Sequence, residues 1–231
     1  MNTIKMNRFL VSFFALLLTS FTFVSCDEHE HIDLDIHPGF ILCADGSVMS
    51  NKAYFEQDTR KAVAVVFAGE TADHGVLAVC LHEIDAIQFC DTLGMELGTS
   101  CDVTAYDGYL NTTAMQNSRD TRTGKGSPLA DEAFSYHHFW QSDFIPSVAE
   151  MTLLYFARNQ VNPIIEQCGG TPLYIDTENA RCWYWTSTEV EQNKGNQAWL
   201  FSMSDGSRHE TPKTNAYRAR AIVEYHPVNI K

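Results

Sequence analysis

Pro146-Ser147-Val148-Ala149-Glu150 carries the clearest folding signal in this chain of 231 residues. The Ser147 hydroxyl can accept a hydrogen bond from the backbone N–H of Glu150, and the Glu150 carboxylate can accept one from the backbone N–H of Ser147. This reciprocal capping box predicts a helix that begins here and continues along an amphipathic segment. Gly169-Gly170 is a helix stop signal, and Pro163 predicts a kink or a division into two helices.

Strand patterns lie on both sides of the helical region. The apolar run 62–68 is rich in β-branched residues, as buried strands are, and 76–81 is its predicted hairpin partner. After the helices, the segments 182–187 and 198–203 contain several aromatic residues. The segment 217–225 alternates between polar and apolar residues before its end. The order of strands, helices and strands predicts an α+β domain with antiparallel sheets and two main helices between the two strand regions.

Two further segments, 104–118 and 128–140, have helical patterns and are predicted as helices before the capping box. The stretch 119–127 between them is polar and contains glycine, which is typical of a loop. The central region of the chain is therefore predicted to be helical.

The first 25 residues have the three parts of an export signal. Lys5 and Arg8 supply positive charge, and 9–23 is an apolar run of 15 residues. A membrane-spanning helix needs roughly 20 residues. We therefore predict a cleaved signal peptide over 1–25 rather than a membrane span.

Val24-Ser25-Cys26, directly after the apolar run, resembles the lipobox of bacterial lipoproteins. In that family the cysteine becomes residue one and is lipidated, which implies an anchor at Cys26. The alternative is an ordinary secretory signal followed by a chance cysteine. The acidic, histidine-containing segment 26–37 is a predicted tether, and it resembles the surface-export signal of Bacteroidota lipoproteins. The folded domain is predicted over 38–231.

The chain is acidic, with a formal net charge of −13. Cleavage would remove Lys5 and Arg8 and no acid, so the mature charge would be about −15. This balance argues against a nucleic-acid partner. Besides Cys26 there are six cysteines, for which disulfides and free thiols are both open alternatives: Cys43, Cys80, Cys90, Cys101, Cys168 and Cys182.

Several late motifs resemble one family when taken together. They are the capping-box segment 145–150, Trp185-Thr186-Ser187-Thr188-Glu189, Ala198-Trp199 and Tyr217-Arg218-Ala219-Arg220. Their order and spacing resemble the Bacteroidota lipoproteins and major-paralogous-domain proteins with a C-type-lectin-like fold, a group related in fold to the formylglycine-generating enzymes. The resemblance covers about 38–226 and implies a C-type-lectin-like domain.

In relatives of this group, the segment after the tryptophan-rich strand displays the binding residues. The resemblance therefore implies a surface-anchored adhesin that binds a protein or glycan ligand. The ligand-binding residues expected on this basis are polar or aromatic: Tyr184, Glu189, Gln192, Asn193, Asn196, Arg208, His209 and Asn215. The sugar-binding calcium triplets of C-type lectins are absent from the sequence, and the paired-cysteine copper motif of the related enzymes could not be matched.

Two other functions remain open: a structural accessory of a cell-surface or pilus assembly, and an enzyme of the formylglycine-generating type built on His82, Glu83 or free thiols. We expect that the protein is not an enzyme and that it binds no cofactor and no metal ion. His82-Glu83 is interpreted as a solvent-facing strand end. His137-His138 is not expected to bind one ion, because neighbouring helical side chains point about 100° apart.

Three further expectations concern the late strands and one loop. Trp183 and Trp185 share one side of a strand and are expected in the core. Arg218 and Arg220 also share one side, and we expect structural ion pairs with Glu189 or Glu224. Thr92, in Asp91-Thr92-Leu93, matches a short O-glycosylation pattern of exported Bacteroidota proteins.

Overall fold

A computed structural model describes residues 35–56, 59–138, 141–177 and 180–226. The predicted signal peptide, Cys26 and nearly all of the tether lie outside the described residues. Within the described ranges, no helix is both long and apolar enough to cross a membrane.

Twelve strands and four α-helices make up the described chain, with one short 3-10 helix at Glu191–Asn193. The first strands are β1 Ile41–Cys43, β2 Val48–Met49, β3 Ala62–Ala68, β4 Val76–Cys80 and β5 Ile84–Gln88. The helices are α1 Asn51–Phe55, α2 Gly108–Asn117, α3 Pro128–Ser135 and α4 Val148–Gln167. The remaining strands are β6 His137–His138, β7 Gln141–Ser142, β8 Trp183–Glu189, β9 Gln197–Ser202, β10 Arg208–Pro212, β11 Ala216–Ala219 and β12 Ile222–Tyr225.

Two five-stranded sheets form the framework, and β6 and β7 pair separately. The first sheet has the order β12-β4-β3-β1-β2 and is antiparallel throughout. Its β3–β4 pair, in which Val65 faces Val79, confirms the predicted hairpin. The last strand, β12, returns to pair with β4, so the two ends of the described chain meet in one sheet.

The second sheet has the order β10-β9-β8-β11-β5. All its pairs are antiparallel except β8 with β11, which run parallel. The α+β class is therefore confirmed, with one parallel pair in an otherwise antiparallel arrangement. Sequence alternation does not indicate strand direction, so this pair could not be foreseen.

Helix α4 begins as predicted. The backbone N–H of Ser147 donates to Glu150 Oε2 (2.7 Å), and the backbone N–H of Glu150 donates to the Ser147 hydroxyl (3.3 Å). Pro163 lies inside one continuous helix rather than dividing it. Pro163 and Asn159 are exposed, so water can satisfy the Asn159 carbonyl, which loses its usual helical donor.

The C-terminal end of α4 is a Schellman motif. Gly169 adopts φ +78°, its N–H donates to Glu166, and the N–H of Gly170 donates to Ile165 (2.9 and 2.8 Å). This confirms the predicted stop at Gly169-Gly170. Gly170 also permits a close approach, because a Cβ there would lie 2.6 Å from the Leu81 carbonyl oxygen.

The other two predicted helices are shorter than expected. Helix α2 begins at Gly108 rather than 104, since Asp102 accepts hydrogen bonds from the backbone and hydroxyl of Thr104 in a local turn. Helix α3 ends at Ser135 instead of continuing to 140, and His137–His138 pairs with Gln141–Ser142 as strands β6 and β7. Tyr136 is already extended, and its carbonyl accepts from the backbone N–H of Asp143.

Both faces of β8 are covered. Tyr184 and Phe201 pack with α4 and the first sheet, in a cluster that includes Leu154. On the other face, Trp185 packs in the cluster that holds Met115 of α2 and Leu129 of α3. Trp183 packs partly buried against that same cluster, which confirms the core assignment of the two tryptophans.

The Glu150 carboxylate lies where α2 and α4 both begin. It accepts hydrogen bonds from the backbone N–H groups of Ser147 and Gly108, and Glu150 is only 3% exposed. A Cβ at Gly108 would contact the Glu150 carboxylate and lie 2.8 Å from the Ile145 carbonyl oxygen. Burial raises the pKa of Glu150 from 4.5 to about 7, despite these hydrogen bonds and with a further upward contribution from Asp107.

Replacing Glu150 by Gln should change how stability depends on pH. Because the pKa is raised in the folded state, folding of the native protein loses free energy as pH rises from about 4.5 to about 7. The Glu150→Gln variant keeps a capping acceptor and cannot ionise. Its free energy of unfolding, relative to the native protein, should therefore rise over this window by on the order of 3 kcal/mol.

Urea unfolding at several pH values between 4 and 8 measures this difference. Glu166→Gln, at an exposed position of the same helix, is the matched control and should run parallel to the native protein. A constant offset between Glu150→Gln and the native protein across the whole pH range would contradict the assignment.

Candidate functional site

Tyr184, expected as an exposed binding ring, is fully buried. Its hydroxyl donates to Glu83 Oε2 (2.8 Å) and accepts from the backbone N–H of Tyr174 (3.0 Å). Burial raises the pKa of this phenol, and the nearby Glu83 carboxylate raises it further. The prediction was wrong because the face of β8 opposite the tryptophans is covered by α4 and the first sheet.

Glu189, the second expected ligand contact at the end of β8, is also buried, with its side chain wholly inaccessible. Its carboxylate accepts from the backbone N–H groups of Leu97 (2.8 Å) and Thr99 (3.2 Å) and from the Thr99 hydroxyl (3.0 Å). It forms an ion pair with Lys213, whose ammonium also donates to the Met95 carbonyl (2.8 Å). Glu189 is therefore a structural residue, which corrects the prediction.

The 3-10 helix after β8 and the turn that follows it hold three other expected residues. Gln192 is exposed, whereas Asn193 and Asn196 are half-buried. The Asn196 amide donates to Asn193 Oδ1 (2.8 Å), and its own Oδ1 accepts from the backbone N–H of Gly94 (3.0 Å). Both asparagines therefore shape the turn, whereas Gln192 and its neighbour Glu191 are exposed.

Arg208 and His209 are exposed on β10, at one edge of the second sheet. Each side chain lies near a tryptophan. The Arg208 guanidinium is 5.8 Å from the Trp199 ring centroid, and the His209 ring centroid is 6.1 Å from that of Trp183. Asn215 is exposed beyond the other end of β10.

The eight expected residues thus do not form one compact site. Tyr184 and Glu189 belong to the interior. The 3-10 turn lies beside the end of β10, because Gln197 pairs with Pro212, whereas Arg208 is at its start. Pro212 follows Arg208 by four steps of extended chain, which is about 13 Å.

His82-Glu83 was predicted to be a solvent-facing strand end, and Glu83 does not fit that prediction. His82 is exposed as expected, but the Glu83 side chain is only 9% exposed. Glu83 Oε1 lies 2.7 Å from Arg218 Nε, and Oε2 lies 3.9 Å from the Arg220 guanidinium. The arginines therefore pair with Glu83 and not with Glu189, which corrects that expectation.

Glu224, the other expected arginine partner, accepts instead from the backbone N–H of Gly75 (2.6 Å). Arg220 is fully buried, and its guanidinium donates to the carbonyls of Cys80, Leu81 and Thr171 at 2.7–3.1 Å. It is a structural residue that joins β4 to the segment after α4.

A cavity of about 220 Å³ opens between the end of β4 and the β6–β7 hairpin. At its wall, the Cys80 thiol donates to Asp143 Oδ2 (3.1 Å), and His138 Nδ1 lies 2.7 Å from Asp143 Oδ1. Cys80 and Asp143 are buried and His138 is half-buried. The remaining polar lining side chains are Lys61, His82, Glu83 and Tyr136.

This grouping was not predicted. The expectation that His137-His138 binds no ion rests on a helical geometry, but His138 lies on a strand, and its partners are 58 positions upstream and 5 positions downstream. The enzyme alternative required a concave site that gathers His82, Glu83 or free thiols, and the cavity does bring Cys80, His82 and Glu83 together.

The thiol at the cavity wall is poorly suited to nucleophilic attack. Burial raises the pKa of Cys80 well above its ordinary value, and the adjacent Asp143 carboxylate raises it further. A nucleophilic thiol needs a lowered pKa and a neighbouring base, commonly histidine. Here the carboxylate stands between the thiol and the imidazole, so the arrangement favours binding over thiolate chemistry.

The six cysteines of the described domain are all free thiols. Of the two alternatives, disulfides and free thiols, the structure therefore has the second. Thr92 lies half-buried in the loop after β5, next to the exposed Leu93. No protein-family model matches the chain, and the comparison with curated proteins found no match either.

Replacing Lys213 by Met should destabilise the domain strongly. The change leaves the Glu189 carboxylate buried without its cation, and loss of one partner of a buried ion pair costs about 3–5 kcal/mol. Adding Glu189→Gln to Lys213→Met should recover part of this loss, because a neutral side chain needs no cation.

Free energies of unfolding in urea for both single variants and the double variant give the coupling directly. The described contacts predict a double variant that is more stable than Lys213→Met alone. Additive losses from the two changes would mean that the ion pair does not hold the site together.

Proposed function

We propose that the protein is a lipid-anchored binding module of the bacterial outer membrane, exposed at the cell surface. The role that we propose is binding and not catalysis. Its ligand is a protein or glycan, and it is bound by strand β10 and the turns that adjoin it. The observation that carries the proposal is the exposure of Arg208, His209 and Glu210 in succession on an edge strand whose sheet is fixed from within.

The rigidity of this surface supports binding. Thr211 and Lys213 are buried directly beside the exposed stretch, and Lys213 is tied to Glu189 and Met95. A surface that is already ordered loses little conformational freedom when a ligand binds. Polar groups mounted on a rigid framework also give a ligand fixed directions for hydrogen bonds.

The residues at the start of β10 suit a polar ligand. Arg208 offers several N–H donors beside the Trp199 ring, and His209 adds a further polar ring beside Trp183. Gln192 and Asn215 provide amides near the other end of the strand. This combination of donors and aromatic surface is common at binding interfaces.

A structural accessory of a cell-surface or pilus assembly is the second candidate, and the same edge strand supports it. An edge strand has main-chain groups on one side that can pair with a strand from another protein. The two candidates differ in the partner: a diffusible ligand in the first and a fixed neighbour in the membrane in the second.

The anchor is tested by Cys26→Ser in cells. The native chain should incorporate a clickable fatty acid and partition with outer membranes, and the variant should lose both. The Cys168→Ser variant, which changes a cysteine within the domain, should keep both. Membrane partition of Cys26→Ser equal to that of the native chain would refute a lipid anchor at this position.

Binding is tested with the mature protein, kept with its anchor in mild detergent, on glycan and extracellular-matrix arrays. Arg208→Ala combined with His209→Ala should weaken any specific signal at least tenfold, since these neighbours present their side chains on the two faces of the proposed edge strand. Arg122→Ala combined with His137→Ala removes the same residue types from exposed positions elsewhere and should leave the signal unchanged.

The outcomes separate the candidates. Silence on all arrays, together with stable copurification of one membrane partner, would favour the accessory role. Binding that survives the Arg208 and His209 changes would exclude β10 as the ligand surface.

A further inference from the structure

Three metal-binding side chains of different chemistry converge on one wall of the cavity. Cys80 ends β4, His138 belongs to β6, and Asp143 follows β7. One ligand atom from each residue lies within 4.8 Å of the other two. Tetrahedral ligands with bonds of about 2.0–2.3 Å to an ion stand roughly 3.3–3.8 Å apart. Small side-chain rotations would therefore bring the three atoms to binding distance.

The Asp143 carboxylate is buried, and its charge is balanced by the neighbouring His138 only when that ring is protonated. It is 1% exposed, and its contacts are the weak S–H donor of Cys80 and the His138 ring. Within the part of the chain that the structure describes, His138 is its ion-pair partner. An unbalanced buried carboxylate is costly, and a cation between Asp143 and its two neighbours would relieve that cost.

The arginine beside this cluster is engaged by other groups. The Arg220 guanidinium, which lies beside Cys80, is directed to the carbonyls of Cys80, Leu81 and Thr171. It also lies 3.9 Å from Glu83, so its charge is balanced there. The other titratable side chains that line the cavity are Lys61, His82, Glu83 and Tyr136.

We propose that Cys80, His138 and Asp143 form a binding site for a divalent transition-metal ion of the zinc type. Thiolate and imidazole ligands select zinc and related first-row ions, whereas calcium and magnesium require oxygen ligands in larger number. Binding breaks the S–H bond of Cys80, whose proton passes to solvent, and the His138 ring proton moves from Nδ1 to Nε2, so that the thiolate, Nδ1 and the carboxylate can all bind the ion.

Three protein ligands leave a fourth tetrahedral position that faces the cavity. Structural zinc sites are closed by four protein ligands, whereas an open position takes water or a small ligand. The cavity volume of about 220 Å³ gives room for several atoms there. This site is independent of the β10 surface, because no residue is shared between them.

Cobalt(II) provides a direct test in the full mature chain under reducing conditions. All samples carry His29→Ala and His31→Ala, which remove the histidines of the tether. Titration with Co²⁺ should reach one equivalent and give a thiolate-to-cobalt charge-transfer band with strong visible bands typical of four-coordination. Added Zn²⁺ should abolish the bands by displacement.

Two pairs of variants locate the ion. His138→Ala should weaken Co²⁺ binding at least tenfold, whereas His137→Ala, its neighbour on the same strand, should have no effect. Cys80→Ser should remove the charge-transfer band, and Cys182→Ser, at another buried thiol, should retain it. If Cys80→Ser fails to fold, the two histidine variants decide alone. Absence of stoichiometric Co²⁺ binding, or equal binding by His138→Ala and His137→Ala, would overturn the proposal.

Discussion

The buried ion pair between Glu189 and Lys213 is the constraint on which the late half of the domain depends. Glu189 ends β8, Lys213 follows β10, and their partners Met95, Leu97 and Thr99 lie in the long loop after β5. Two charges without solvent are tolerated only when their hydrogen-bonding capacity is filled, and here the loop fills it. The loop is consequently held on the sheet, and the polar side chains of β10 and its turns project from a fixed base.

Local patterns predicted the elements that local chemistry controls. Ser147 and Glu150 are three residues apart, so their capping box is visible in the sequence, and the β3–β4 hairpin needs only a short loop. Trp183 and Trp185 were placed correctly because alternation assigns them to one face of a strand. In each case the residues that make the contact, or that form the sequence pattern, are only a few positions apart in the chain.

The errors arose where partners are distant in sequence. Tyr184 contacts Glu83 across 101 positions and Cys80 contacts Asp143 across 63, and no spacing rule joins residues so far apart. Alternation assigned Tyr184 to the face opposite the tryptophans, but it could not reveal that a second layer covers that face too. The helical geometry predicted for His138 ends at Ser135, so the sequence pattern does not give its orientation toward Asp143.

The two regions with functional potential differ in how they connect to the core. Strand β10 is one edge of the second sheet and β5 is the other, and the cavity is lined by Ile84 at the start of β5. Four strand spacings of about 4.8 Å separate the edges. Glu83, also in the cavity wall, is hydrogen-bonded to Tyr184 at the centre of the sheet. A change in the charge of Glu83 would therefore reach β8 through the Glu83–Tyr184 hydrogen bond. Strand β10 is one strand further from the cavity, because β9 lies between β10 and β8.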